Sequence, residues 1–132
     1  SIQEKNYFEE LKAISSESKN VIFLHNILDS ELNWLYKNCE IYILLSYFEG
    51  FSLTPAEAIC SGKSVILSDI DVHKSIYEDL AEFVNPSSIE SICQALFNRS
   101  KNVISSTKRD EFLKRISLNK FTDNLYKYIF NE

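Results

Sequence analysis

The chain has 132 residues, a formal net charge of −5 and 45% hydrophobic residues. That length suits one domain with a real core, and the acidic balance argues against nucleic acid binding, which needs a basic footprint. No apolar run approaches the length of a membrane span, and no signal peptide is visible at Ser1.

Phe8, Leu11 and Ile14 recur at helical spacing within residues 2–18, which predicts an amphipathic helix. Val21–His25 reads as the first strand. Asp29 or Ser30 then caps a helix running to about Asn38, with Leu32, Leu35 and Tyr36 on its apolar face. Trp34 and Tyr36 are expected to be ordinary packing residues rather than base-stacking platforms. Ile41–Leu45 is apolar without alternation, the pattern of a strand buried on both faces of a parallel sheet. A loop with one glycine follows, and Thr54-Pro55 reads as a helix start. Thr54 can act as N-cap, Pro55 suits the first turn, and Thr54-x-x-Glu57 matches a capping box. Gly62 is expected to end that helix.

Ser64–Ser68 is the third predicted strand, and a short helix is expected over Val72–Glu78. Glu82–Val84 closes the strand series. Ser87-x-x-Glu90 reads as a capping box opening a helix to about Asn98. Asn98–Ser106 is polar and without period, a connection. Thr107–Ser117 and Lys120–Phe130 read as helices, the second with Leu118, Phe121, Leu125, Tyr128 and Ile129 as its apolar face. Strands alternating with helices predict an α/β fold, a Rossmann-like parallel sheet flanked by helices.

Function concentrates between Ser46 and Glu57. A helix N-terminus at the carboxyl end of a parallel strand offers free N–H groups and the positive end of a dipole, which suit phosphate. Gly50, lacking Cβ, lets a ligand approach the backbone. Glu49 and Glu57 would accept hydrogen bonds from hydroxyls and repel phosphate, so they should face sugar while the amides face the phosphates. Against this stands the plain alternative that Glu57 caps its helix and Glu49 is a solvated loop residue.

The segment Ser46-Tyr47-Phe48-Glu49-Gly50-Phe51-Ser52-Leu53-Thr54-Pro55-Ala56-Glu57-Ala58, continued by Gly62-Lys63-Ser64-Val65-Ile66-Leu67-Ser68-Asp69, resembles the retaining GT-B glycosyltransferases of group 1 (family 4), which carry a Glu–seven residues–Glu motif. Val21–Leu24 with Glu31-Leu32 and Tyr36 is similar to the preceding strand and helix of that family. The resemblance implies part of the C-terminal half of a GT-B fold: residues 1–100 a partial nucleotide-sugar-binding domain, and residues 101–132 helices that pack on it or cross to an absent N-terminal acceptor domain.

It also implies sugar transfer from a nucleotide-diphosphate donor to a sugar or lipid-linked acceptor hydroxyl, with retention, no metal and no cofactor. Glu49 would contact the donor sugar and count as catalytic. Glu57 would hold the ribose, and the backbone over Gly50, Phe51, Ser52, Leu53 and Thr54 would touch sugar and diphosphate. His25 falls near where the family binds the base. The family often has Gly where Ser52 stands, and Gly where His25-Asn26 stand. Its Arg or Lys pair for the diphosphate has no match here and is expected upstream of Ser1.

The alternative reading is a non-catalytic nucleotide-sugar-binding or docking module, and a sugar-nucleotide epimerase comes third. The family likeness and a Lys-, Asn- and Ile-rich composition point to surface polysaccharide assembly, with peripheral membrane association of the full enzyme.

The other candidates read as structural. Ser46 could donate to a phosphate or hold a turn, His73 reads as a loop or helix-cap residue, and Asp69 and Asp71 as solvated or capping acids. Cys39, Cys60 and Cys93 lack metal-ligand spacing and read as small buried thiols in a reducing cytoplasm.

Overall fold

The computed structural model describes residues 2–16, 18, 20–98 and 104–117. Helix α1 spans Ile2–Ser15 and α2 spans Asp29–Asn38. Strand β1 (Ile41–Leu44) leads through a loop into α3 (Leu53–Cys60), then β2 (Ser64–Ser68), α4 (Asp71–Tyr77), a 3-10 turn over Glu78–Leu80, β3 (Glu82–Val84), α5 (Ile89–Phe97) and α6 (Ser106–Ser117). The strands form one parallel sheet in the order β1-β2-β3, with Ile41 opposite Ser64, Leu44 opposite Leu67, and Ser68 opposite Val84. The chain is therefore α/β, as its alternation of elements predicts.

Both faces of the central strand β2 are covered, which is why Val65-Ile66-Leu67 is apolar without alternation. Val65 and Leu67 pack with Ala56, Ala58 and Ile59 of α3, Tyr36 of α2, Tyr77 of α4, and Phe112 and Ile116 of α6. Ile66 turns to the opposite face, against Val84 and Ala95 of α5. Alternate side chains of one strand thus build two clusters, as the two-residue repeat of a strand requires.

Helix α3 ends as Gly62 predicts. The Gly62 and Lys63 N–H groups donate to the carbonyls of Ile59 and Ala58 at 2.9 and 3.0 Å, with Gly62 at φ +72°. This is a Schellman termination, and its left-handed residue favours glycine.

Several local expectations shift. Val21–His25 is not a strand, because a strand needs a hydrogen-bonded neighbour and none pairs with it. The segment packs on α1 instead, with Phe23 and His25 both edge-on to Phe8 at 5.4 and 5.1 Å. Consequently β1 is an edge of the sheet rather than a strand buried on both faces, and Ile43 is 38% exposed.

Helix α2 begins one residue early. Leu28 precedes it, and Glu31 reaches back to the Leu28 N–H at 2.7 Å. Helix α5 is capped by Ser88, whose hydroxyl accepts from the Ser91 N–H at 3.2 Å; Ser87 is drawn away because its N–H donates to the Asn85 side chain. Tyr36 is buried as expected, but Trp34 is 63% exposed. Of the cysteines only Cys60 is fully buried, and burial pushes its thiol up to about 11; Cys93 is exposed. The predicted helix Lys120–Phe130 and most of the Asn98–Ser106 connection lie outside the described residues.

Candidate functional site

The loop leaving β1 is organised by short-range bonds to its own carboxylate. Ser46 Oγ donates to Glu49 Oε1 at 2.7 Å, so Ser46 serves the turn. Hydrogen bonds from Ser46 and then Ser52, aided by the charge of His73, hold the Glu49 carboxyl below the usual carboxylate range against a small opposing effect of burial. A Cβ placed on Gly50 would meet nothing within 4 Å, so that side of the loop opens to solvent. Phe51 is 41% exposed and Phe48 is 89% exposed, leaving two aromatic rings on the loop surface.

Ser52 sets the geometry of the turn. Its φ and ψ of 59° and 82° are left-handed, a conformation that costs an L-residue on the order of 1 kcal/mol. Two bonds hold it there: the Tyr77 hydroxyl donates to its carbonyl, and its Oγ lies 3.3 Å from His73 Nε2. Helix α3 starts immediately afterwards.

Thr54 is therefore not the N-cap. It is the second residue of the helix, and its Oγ1 accepts from the Tyr42 hydroxyl at 2.7 Å. Nor does Glu57 close a capping box, since its Oε2 accepts from the Tyr36 hydroxyl at 2.8 Å. Competition from two tyrosines on neighbouring elements overrides the local pattern. The amides of Leu53 and Thr54 have no partner within the helix, because a helix leaves its opening N–H groups free; Pro55 brings none.

Tyr36, Tyr42 and Tyr77 thus brace the motif from α2, β1 and α4. Burial, reinforced by the Glu57 carboxylate, raises the Tyr36 hydroxyl well above the ordinary tyrosine range. Burial likewise raises Tyr77 and Tyr42. Sequence reasoning treated Tyr36 as packing and passed over the other two. The available hint was chemical: a tyrosine inside an apolar stretch must find a partner for its hydroxyl.

His73 is a second miss. It is fully buried in α4, not a loop or cap residue, with Nδ1 at 3.0 Å from Ser68 Oγ and 3.1 Å from the Ser68 carbonyl. Asp69 and Asp71 are exposed as expected, and Lys74 lies 3.9 Å from Asp69. His25 sits with Phe8 on the α1 side.

A surface cavity of about 210 Å³ lies between the 3-10 turn and α6 and shares no residue with the motif. Its cations are already engaged, Lys108 with Asp79 and Arg115 with Glu78 at 3.6 Å. Among the described residues no three His, Cys, Asp or Glu side chains converge into a cation-binding set, and no described helix is long and apolar enough to cross a membrane.

Comparison with known proteins adds three findings. The family model described as "Glycosyl transferases group 1" matches residues 2–116. The O-antigen chain mannosyltransferase RfbU of Salmonella typhimurium (strain LT2) is 37% identical over 78 residues, which cover 59% of this chain and 22% of that protein. The solved sucrose-phosphate synthase from Thermosynechococcus elongatus superposes with a TM-score of 0.68 at 21% identity, covering 98% of this chain and 35% of that one. The second likeness is one of fold. The chain matches about a fifth to a third of the length of these relatives.

Proposed function

Because the chain belongs to the group 1 glycosyltransferases, we propose that it binds the nucleotide-diphosphate sugar of a retaining glycosyl transfer to an acceptor hydroxyl. The observation that carries this reading is the start of α3. Glu49 and Glu57 flank unpaired helix amides, and both carboxylates are held by neighbouring hydroxyls. Carboxylates held in this way accept hydrogen bonds from a sugar, while amides at a helix N-terminus donate to a diphosphate.

In this reading Glu57 takes the ribose hydroxyls and Glu49 those of the transferred sugar, which makes Glu49 the catalytic contact. The backbone from Gly50 to Thr54 lies along the sugar and diphosphate, with Phe51 and Leu53 beside them. As the bond between the anomeric carbon and the diphosphate breaks, charge grows on the leaving phosphate. In this reading the amides of Leu53 and Thr54 and the positive end of the α3 dipole face it, so they stabilise the transition state without reorganising. No metal and no cofactor is required for that role. The charge-neutralising Arg or Lys pair and the acceptor-binding half belong to parts of the enzyme other than residues 1–132. Helix α6 packs on the donor half through Phe112 and Ile116, and His25 is the candidate contact for the base.

The 37% identity to an O-antigen chain mannosyltransferase supports a place in polysaccharide assembly, and a sugar or lipid-linked sugar as acceptor belongs to the same proposal. Isothermal calorimetry of the chain with guanosine diphosphate, uridine diphosphate and their mannose and glucose conjugates tests the donor site. Binding that is lost in Glu57→Gln supports it. A folded chain that binds none of the four overturns it in favour of a docking role.

A further inference from the structure

His73 and Tyr77 stand four residues apart on α4, about one turn of helix, and so share a face. Both are fully buried. Both also reach the same residue of the motif loop, Ser52. The imidazole bridges the end of β2 to that loop: Nδ1 lies 3.0 Å from Ser68 Oγ and 3.1 Å from the Ser68 carbonyl, and Nε2 lies 3.3 Å from Ser52 Oγ. The phenol takes the backbone of Ser52, donating to its carbonyl. With φ at 59° and ψ at 82°, Ser52 occupies a backbone region that an L-residue keeps only where its surroundings over-determine it. The determinants here come from α4, a helix that makes none of the donor contacts described above.

A peptide unit is planar. The bond between residues 52 and 53 is trans, so the Ser52 carbonyl and the Leu53 N–H lie in one plane and point in opposite directions. Holding the carbonyl therefore sets the direction of the amide. Because Tyr77 grips the carbonyl from the core, the Leu53 N–H is turned away from Tyr77. That N–H is the first unpaired donor of α3. We propose that Tyr77 is a positioning residue for the donor site: its hydroxyl holds the peptide plane between Ser52 and Leu53 and thereby aims the Leu53 N–H at the diphosphate.

A buried phenol needs an acceptor, and any carbonyl within reach meets that need. Burial alone does not select the one carbonyl whose peptide carries the opening amide of α3. The short bonds of Tyr36 and Tyr42 go to the side chains of Glu57 and Thr54, at 2.8 and 2.7 Å, and leave this peptide to Tyr77. His73 holds the side chain of the same residue, so Ser52 is gripped at both its side chain and its carbonyl.

The consequence for diphosphate binding rests on the function proposed above; the direction of the amide does not. The test measures the residual dipolar coupling of the Leu53 N–H in the weakly aligned full chain, in the parent and in Tyr77→Phe. The Leu53 coupling should change in the variant while the couplings along β2 keep their parent values. A Leu53 coupling unmoved in folded Tyr77→Phe overturns the proposal. Calorimetry with guanosine diphosphate and uridine diphosphate reads the consequence. Whichever binds the parent should bind folded Tyr77→Phe about fivefold more weakly. Equal affinity overturns the proposal even where the coupling moves, because a phenol that served stability alone would leave the affinity of the folded chain intact.

Should Tyr77→Phe not fold, the parent still decides. Its Leu53 coupling must fit an N–H turned away from Tyr77 in the frame of α3, and the Tyr77 hydroxyl proton must be protected from exchange with water; failure of either overturns the proposal. If the parent binds neither nucleotide, the donor-site reading fails, while the coupling still decides whether Tyr77 sets the amide.

Discussion

The hydroxyl of Tyr36 donates to Glu57 Oε2 at 2.8 Å across 21 residues of sequence. The second carboxylate of the motif is thereby oriented from behind, by α2, before any ligand arrives. A bond to an ionised acceptor is among the stronger side-chain hydrogen bonds, about 1.5–3 kcal/mol. Glu57 retains solvent access on its other side, so part of that is recovered from water. Tyr36→Phe should cost about 1–2 kcal/mol in urea denaturation and weaken nucleotide diphosphate binding several-fold. Unchanged stability together with unchanged affinity would show that the bond positions nothing.

Alkali should unfold the protein from about pH 10. Tyr36 and Tyr77 are held neutral by burial, so their folded values lie above the ordinary 10.0. A raised value means that stability is complete below the unfolded value and is lost as pH rises above it. Between the two values the unfolded chain gives up protons that the folded chain keeps. Each such tyrosine then removes up to about 1.4 kcal/mol per pH unit. Urea midpoints measured between pH 8 and 11.5, read beside tyrosinate absorbance, give the answer. Ordinary titration of all seven tyrosines in a chain that stays folded would count against this account.

Position 52 should tolerate glycine and reject branching. At φ 59° a Ser52→Val chain meets the left-handed region with a β-branched side chain and loses the bond to His73, a combined loss of about 2–3 kcal/mol. Ser52→Gly loses the same bond but relieves the backbone, so its net change should stay within about 1 kcal/mol. Thermal melts of the two variants should therefore separate clearly. Equal melting temperatures would mean that the turn is not left-handed in solution.

Gly62→Ala should destabilise the chain by about 1 kcal/mol through its backbone alone, since φ +72° is costly for alanine. The added Cβ would stand 3.5 Å from the Arg109 guanidinium, an ordinary contact, so crowding contributes little. A loss well above 2 kcal/mol would mean that α3 and α6 are coupled through this turn.

Much of the architecture could be read from residue order. Ser64–Ser68 had to be a strand, Gly62 had to end a helix, and the loop between Ser46 and Glu57 had to join a strand to a helix start. Those inferences rest on periodicity and on the backbone limits of glycine and proline, which act over a few residues. Val21–His25 failed for the complementary reason. Its composition favours a strand, but a strand exists only where a neighbour offers hydrogen bonds, and a neighbour is a property of the whole fold.

By itself, then, the sequence determined the α/β alternation, the membership of Glu49 and Glu57 in one motif, and the family to which the chain belongs. Tertiary structure alone decided what those carboxylates and their loop bond to. Tyr36, Tyr42, Tyr77 and His73 lie 12 to 25 residues from their partners in the motif. Apolar burial follows a repeat that can be seen along the chain. A buried hydroxyl or imidazole must be satisfied by whatever group the packing brings within about 3 Å, and no local pattern specifies that group.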